Sequence, residues 1–300
     1  MNGPGAPADS GRDERAGTLL GLSAYLLWGL FPLYWKGLAA VPPVQVLAHR
    51  VLWAFVLTMG LSLATAQRRR ELAALLRTPR RAAAMLAAGL LVTLNWGIYI
   101  WAVSAGNIVE SSMGYYLNPL VSVALGALVL RERVDAGMVA SCVVAGVGIA
   151  IAAVSYGRVP WTALSLAVSF ALYGLIKKLV GLDALTGLAA ETAAALPWAI
   201  GFLALEHAAG RGSFGHAGAG STAMLVLAGP VTAIPLILYA AGVKRIPLSR
   251  MGFLQYVSPT LQLALGTLVF GEVLDGPRAA AFGFVLAALA IFALTRKRVA

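Results

Sequence analysis

Ten stretches of about twenty apolar residues follow one another along the chain, joined by short polar links. They cover 17–36, 44–66, 82–104, 110–130, 137–155, 160–178, 184–205, 221–241, 249–270 and 277–295. A hydrocarbon layer about 30 Å thick is crossed by about 20 helical residues. The stretches are rich in Ala and Leu and do not alternate, which points to helices rather than strands. A water-soluble alternative fails on composition. Only 12% of the 300 residues are charged and 60% are AVILMFWYC, where ordinary soluble domains carry about 25% charge. The sequence therefore predicts an all-α integral membrane protein with ten transmembrane helices and the lipid bilayer as its main partner.

The net charge of +11 would suggest nucleic acid in a soluble chain. Here the basic residues sort by loop, and no nucleic-acid partner is expected. Arg12, Arg15, the 68–81 loop, Arg131, Arg133, Lys177, Lys178, Lys244, Arg245, Arg250 and the last residues place 18 on one face. The other face holds four: Lys36, Arg158, Arg211 and Arg278. By the positive-inside rule both termini are expected in the cytoplasm. The first apolar run is too long for a signal-peptide core and another span follows at once, so it is read as an uncleaved first helix. One cysteine, Cys142, excludes an internal disulfide framework.

Displaced by 140 residues, the chain matches itself. GYYLNPLVSVALGALVLRERVD at 114–135 and LQYVSPTLQLALGTLVFGEVLD at 254–275 share nine of 22 positions, Tyr116/Tyr256, Pro119/Pro259 and Glu132/Glu272 among them. Ala88-Gly89 pairs with Ala228-Gly229 at the same offset, and Trp28-Gly29 with Tyr173-Gly174 at 145. Each half then holds five spans. Five is odd, so the second half enters the bilayer inverted, the plan found in many secondary transporters with their binding site near the midplane. The expected organisation is a disordered cytoplasmic tail at 1–16, repeats at 17–155 and 160–295, and a basic cytoplasmic tail at 296–300.

GLSAYLLWGLFPLYWKGL at 21–38, VLAHRVLW at 46–53, NWGIYIWAV at 95–103 and VESSMGYYLNPLVSVALGALVLRER at 109–133 resemble the RarD-type permeases of the EamA branch of the drug/metabolite transporters. The resemblance extends over about 17–295. It implies a ten-helix permease of the bacterial inner membrane with two EamA-type repeats around a cavity.

Polar groups at membrane depth are costly and mark function or helix contacts. Gln255, Ser258 and Gln262 form one helical stripe, and the repeat maps them to Tyr115, Asn118 and Ser122. Asn95 and Tyr99 share a face, while Trp28 and Tyr173 occupy matched positions. These ten are the candidate substrate-cavity residues, with hydrogen bonding between helices as the competing role. Pro119 and Pro259, inside the stripes, are candidate helix breaks. Trp35, Trp53, Trp101 and Trp161 read as interfacial belt residues. Four intramembrane charges are read as two gates, an outer Arg50–Glu110 pair and an inner Glu191–Arg250 pair. The competing roles are helix fastening and, for Arg50, direct contact with an anionic substrate. His207 and His216 lie in a Gly-rich loop without the spacing of a metal site.

No GxxxxGK[ST], HExxH or GxSxG occurs, so no ATPase, cofactor or metal is expected and an enzyme is disfavoured. The expectation is a secondary-active permease for a small amphipathic molecule. An intramembrane enzyme, a lipid scramblase or a channel is the alternative, and a second copy of the chain a further candidate partner.

Overall fold

The computed structural model describes residues 8–104, 108–156, 161–269 and 276–296, and within them every regular element is helical. The helices are α1 (Ala8–Lys36), α2 (Pro43–Leu63), α3 (Ala66–Leu76), α4 (Pro79–Ser104), α5 (Ile108–Leu128), α6 (Ala136–Tyr156), α7 (Trp161–Val180), α8 (Ala184–Ala208), α9 (Ala219–Val243), α10 (Leu248–Leu254), α11 (Val257–Leu268) and α12 (Gly276–Arg296). Six stretches among the described residues are long and apolar enough to cross a membrane: Gly11–Lys36, Pro43–Leu63, Pro79–Tyr99, Trp161–Val180, Ala184–Ala208 and Ala219–Val243.

The helix ends follow local chemistry. Pro43 opens α2, where its missing N–H is no loss. Thr65 caps α3, and Asp135 accepts from Met138 N at 2.7 Å at the start of α6. Asp183 caps α8 by accepting from Leu185 N and Thr186 N at 3.1 and 3.2 Å. Partial burial by itself would raise the Asp183 pKa, but the Thr186 amide, the Arg68 guanidinium and the Leu185 amide outweigh it and hold the carboxyl below its usual value. The start of α10 is capped from the other half of the chain. Glu132 accepts from Leu248 N at 2.7 Å, Ser249 N at 3.0 Å and Ser249 Oγ at 2.8 Å.

Three expectations change here. Residues 8–16, read as part of a disordered tail, are the first turns of α1. Asp13 pairs with Arg245 at 3.0 Å and Glu14 pairs with Arg250, which ties this end down. The stretch 249–270 is two helices, α10 and α11, with a turn at Gln255–Tyr256. Pro259 lies one turn beyond and cannot bond the Gln255 carbonyl. Pro119, by contrast, does not interrupt α5, which runs on through it while packed against α7 and α10.

Helices pack as α1 with α9 and α11, α2 with α8 and α9, α4 with α7 and α8, α5 with α7 and α10, and α6 with α12. At two of the tightest crossings backbone meets backbone. A Cβ on Gly89 of α4 would run into the Glu191 carbonyl of α8, and one on Gly229 of α9 into the Trp53 backbone of α2. Between these crossings lies a buried heart that includes Tyr25, Tyr173, Leu188, Tyr239 and Met251. Tyr173 stacks on Tyr239 with ring centroids 6.0 Å apart.

Candidate functional site

α1 carries Pro32, which has no N–H for the carbonyl one turn back. That carbonyl belongs to Trp28, and Gln262 Nε2 of α11 donates to it at 3.0 Å. The helix defect is thus repaired by a neighbour, and Trp28 and Pro32 face the centre of the bundle. α7 is fastened from two other sides. Asn95 Nδ2 of α4 donates to Leu166 O and Ser169 Oγ, both at 2.9 Å. Asn118 Nδ2 of α5 donates to Ala167 O at 2.7 Å.

These fastenings surround a cavity of about 230 Å³. Its wall is rich in aromatic side chains: Tyr25, Trp28, Phe31 and Trp35 of α1, Trp96 and Tyr99 of α4, Tyr115 of α5 and Phe170 of α7. Asn95, Asn118, Gln255, Ser258 and Gln262 contribute its polar groups. The lining comes from the C-terminal parts of α1 and α4, the N-terminal parts of α2, α5 and α7, and the α10–α11 turn with the first half of α11. Among the described residues, the sole charged side chain in this lining is Arg50 of α2. Its guanidinium carbon lies 4.8 Å from the Trp35 ring centroid and 4.5 Å from that of Trp96, and Nε donates to Thr232 Oγ1 at 3.0 Å.

Eight of the ten expected cavity residues line it: Trp28, Asn95, Tyr99, Tyr115, Asn118, Gln255, Ser258 and Gln262. Two do not. Ser122 is buried behind the wall and donates to Asn118 Oδ1 at 3.3 Å. Tyr173 is fully buried and donates to Glu191 Oε2 at 3.0 Å.

The inner gate does not form as expected. Glu191 pairs with Lys177 of α7, both side chains nearly without solvent, and Arg250 pairs with Glu14. α8 meets Gly89 of α4 at Glu191, whereas α2 meets Gly229 of α9 at Trp53 and not at Arg50, so the expected alignment of Glu191 with Arg50 is offset. In the outer pair, the Glu110 side chain lies outside the described residues, and among those described no carboxylate is ion-paired with Arg50.

Sequence reasoning missed Tyr25, Phe31, Pro32, Trp96 and Phe170. It also placed Trp35 in the interfacial belt, where the structure sets it over Arg50. A signal was present: Tyr25, Trp28, Pro32 and Trp35 recur at helical spacing on one face of α1. Elsewhere, His49 of α2 is buried and stacks on Phe214 of the 209–218 loop at 5.1 Å. That loop is tied to α2 by Gln45, which donates to Arg211 O at 2.7 Å and accepts from Ser213 N at 2.8 Å. Among the described residues no group of three His, Cys, Asp or Glu is placed to hold a metal ion.

The Gln262 amide serves α1 directly. Gln262→Leu leaves the Trp28 carbonyl without a donor in an apolar setting and is expected to destabilise the fold by about 1–3 kcal/mol. A thermal-unfolding series in detergent checks this, and an unshifted midpoint contradicts it.

Residues 15–154 match the EamA-like transporter family. A protein named RarD from Streptomyces exfoliatus is 42% identical, over 93% of this chain and 88% of its own length. An uncharacterised transporter, YojE, from Bacillus subtilis is 39% identical over 95% of both chains. RarD of Escherichia coli is 35% identical over 94% of this chain and 95% of its own. A solved crystal structure with 22% identity superposes with a TM-score of 0.71, covering 95% of this chain and 99% of the other, which shows a shared fold.

Proposed function

The chain belongs to the EamA-like transporter family as a RarD-type multi-pass membrane protein, and from that premise we propose that it is a secondary-active permease for a small amphipathic molecule. In this reading ten helices span the inner membrane as two inverted repeats, with α3 on the cytoplasmic face and both termini in the cytoplasm. Alternating access arises as the two repeats exchange conformations.

The observation that carries the reading is the cavity, because its wall draws on both halves of the chain and no single half encloses it. Support for the repeat comes from the packing. Exchange α1 with α7, α2 with α8, α4 with α9, α5 with α10 and α11, and α6 with α12. The pair α5–α7 then becomes α11–α1, α4–α7 becomes α9–α1, and α2–α9 becomes α8–α4. The pairs α2–α8, α5–α10 and α6–α12 map onto themselves.

With the basic face inside, the cavity opens outward. The cytoplasmic end is closed by Arg68–Asp183, Lys178–Glu132, Arg245–Asp13 and Arg250–Glu14. Trp28, Asn95, Tyr99, Tyr115, Asn118, Gln255, Ser258 and Gln262 are the proposed substrate contacts.

The test is flux. Purified protein is reconstituted into liposomes loaded with a bacterial metabolite extract, and the medium is followed by mass spectrometry. A few small amphipathic compounds are expected to exit with saturable kinetics and to show counterflow when supplied outside. Flux that never saturates would favour a channel, altered masses an enzyme, and lipid exchange between leaflets a scramblase.

A further inference from the structure

We propose that Arg50 is the specificity-determining residue of the cavity, and that the molecule bound there carries one negative charge, a carboxylate or an equivalent monoanion, on an apolar or aromatic body. The proposal rests on the transport reading for its biological sense and on the geometry of Arg50 for its chemistry.

The guanidinium is held in place, and no carboxylate among the described residues is ion-paired with it. Trp35 and Trp96 lie over it at 4.8 and 4.5 Å, and Thr232 takes Nε. Among the described residues its two terminal nitrogens have no hydrogen-bond or ion-pair partner. These are the atoms that grip a carboxylate in a two-pronged bond. The tryptophans stabilise the cation through their ring faces and leave its edge free.

Other intramembrane charges in this protein are treated differently. Lys177 and Glu191 neutralise each other out of reach of solvent, and Arg250 is met by Glu14. Arg50 alone combines a place in the cavity wall with the absence of a described carboxylate partner. The Tyr99 and Tyr115 rings, 5.7 Å apart, line the same space, and neither phenol has a hydrogen-bond partner among the described residues. They offer two neutral O–H donors beside the cation.

The charges of the described lining set the class of ligand. Its one cation matches a monoanion. A doubly charged phosphate would leave a charge that no other described lining residue compensates. The walls of Trp28, Phe31 and Phe170 suit an apolar or aromatic body rather than a sugar.

Matched acid and amide probes test this on the purified full-length chain in detergent at neutral pH. The pairs are 3-phenylpropionate with 3-phenylpropionamide and indole-3-acetate with indole-3-acetamide, read by the shift in thermal unfolding midpoint. Each acid is expected to bind at least tenfold more tightly than its amide. Arg50→Gln is expected to bring that ratio to near one, and Arg50→Lys to keep part of it. Equal binding of acid and amide, no binding of either, or a preference that survives Arg50→Gln overturns the proposal. The wild-type comparison stands even where Arg50→Gln fails to fold.

A second arm follows 2-phenylethanesulfonate, which stays ionised, in proteoliposomes. Acid-selective binding without flux supports the anion site and removes the transport reading. Flux of neutral probes with no preference for the anion does the reverse.

Discussion

Lys177→Met is expected to be among the most damaging single changes in the molecule, lowering stability by about 3–5 kcal/mol. The Lys177 and Glu191 side chains are 5% and 0% exposed, and the Lys177 ammonium donates directly to Glu191 Oε1. Tyr173 OH occupies the other carboxylate oxygen at 3.0 Å. Removing the lysine leaves a carboxylate without its counter-charge where water does not reach. The same argument gives the control. Lys177→Met combined with Glu191→Gln removes both charges, keeps an acceptor for Tyr173, and is expected to recover most of the loss. Fluorescence-detected size exclusion after heating reads both variants. A single variant as stable as the parent, or a double variant no better than the single, contradicts the pairing.

Gly89→Ala is expected to be harmful although it adds one methyl group. The new Cβ would overlap the Glu191 carbonyl and lie 2.9 and 3.0 Å from the Glu191 Cα and carbonyl carbon. Backbone atoms inside a helix cannot swing away, so α4 and α8 must separate. Overpacking of this kind costs about 1–3 kcal/mol, occasionally more, and Gly89→Leu is expected to yield no folded protein. Gly229→Ala meets the Trp53 backbone in the same way. Gly60 has open space where a Cβ would go, so Gly60→Ala is expected to be neutral or to gain about 0.5–1 kcal/mol from helix preference. Because Gly89 abuts Glu191, Gly89→Ala and Lys177→Met share a partner and should not add independently. Equal melting curves for Gly89→Ala and Gly60→Ala would remove the close crossing.

The helical class and membrane character were legible because they depend on segment length and apolarity, both local properties. The polar stripe of 255–262 and the Asn95–Tyr99 face were legible for a related reason: in an apolar helix the few polar side chains mark the inward side. Two kinds of information were not local. Lys177, near the end of a span, reads as a loop cation, because nothing nearby in sequence says that α8 folds back to set Glu191 against it. The partner for Glu191 was sought through the repeat by way of Arg50, but α8 meets Gly89 of α4 at Glu191 while α2 meets Gly229 of α9 at Trp53, three residues beyond Arg50. The roles of Asn95, Asn118 and Gln262 were read as alternatives, cavity lining or helix fastening. In the folded chain each amide donates an N–H to a neighbouring helix, and the same residue also lines the cavity.

The Lys177–Glu191 bond also has a consequence in time. Its partners are 14 residues apart on consecutive helices, so a ribosome adding about 5–20 residues per second delivers the second within about 1–3 s of the first. The α7–α8 hairpin can therefore enter the bilayer with its two charges already joined. Glu132 waits longer. Its ion-pair partner Lys178 follows about 2–9 s later and the amide it caps at Leu248, 116 residues downstream, about 6–23 s later at the same rate. Closure of that end of the bundle therefore waits on the last part of the chain to be made.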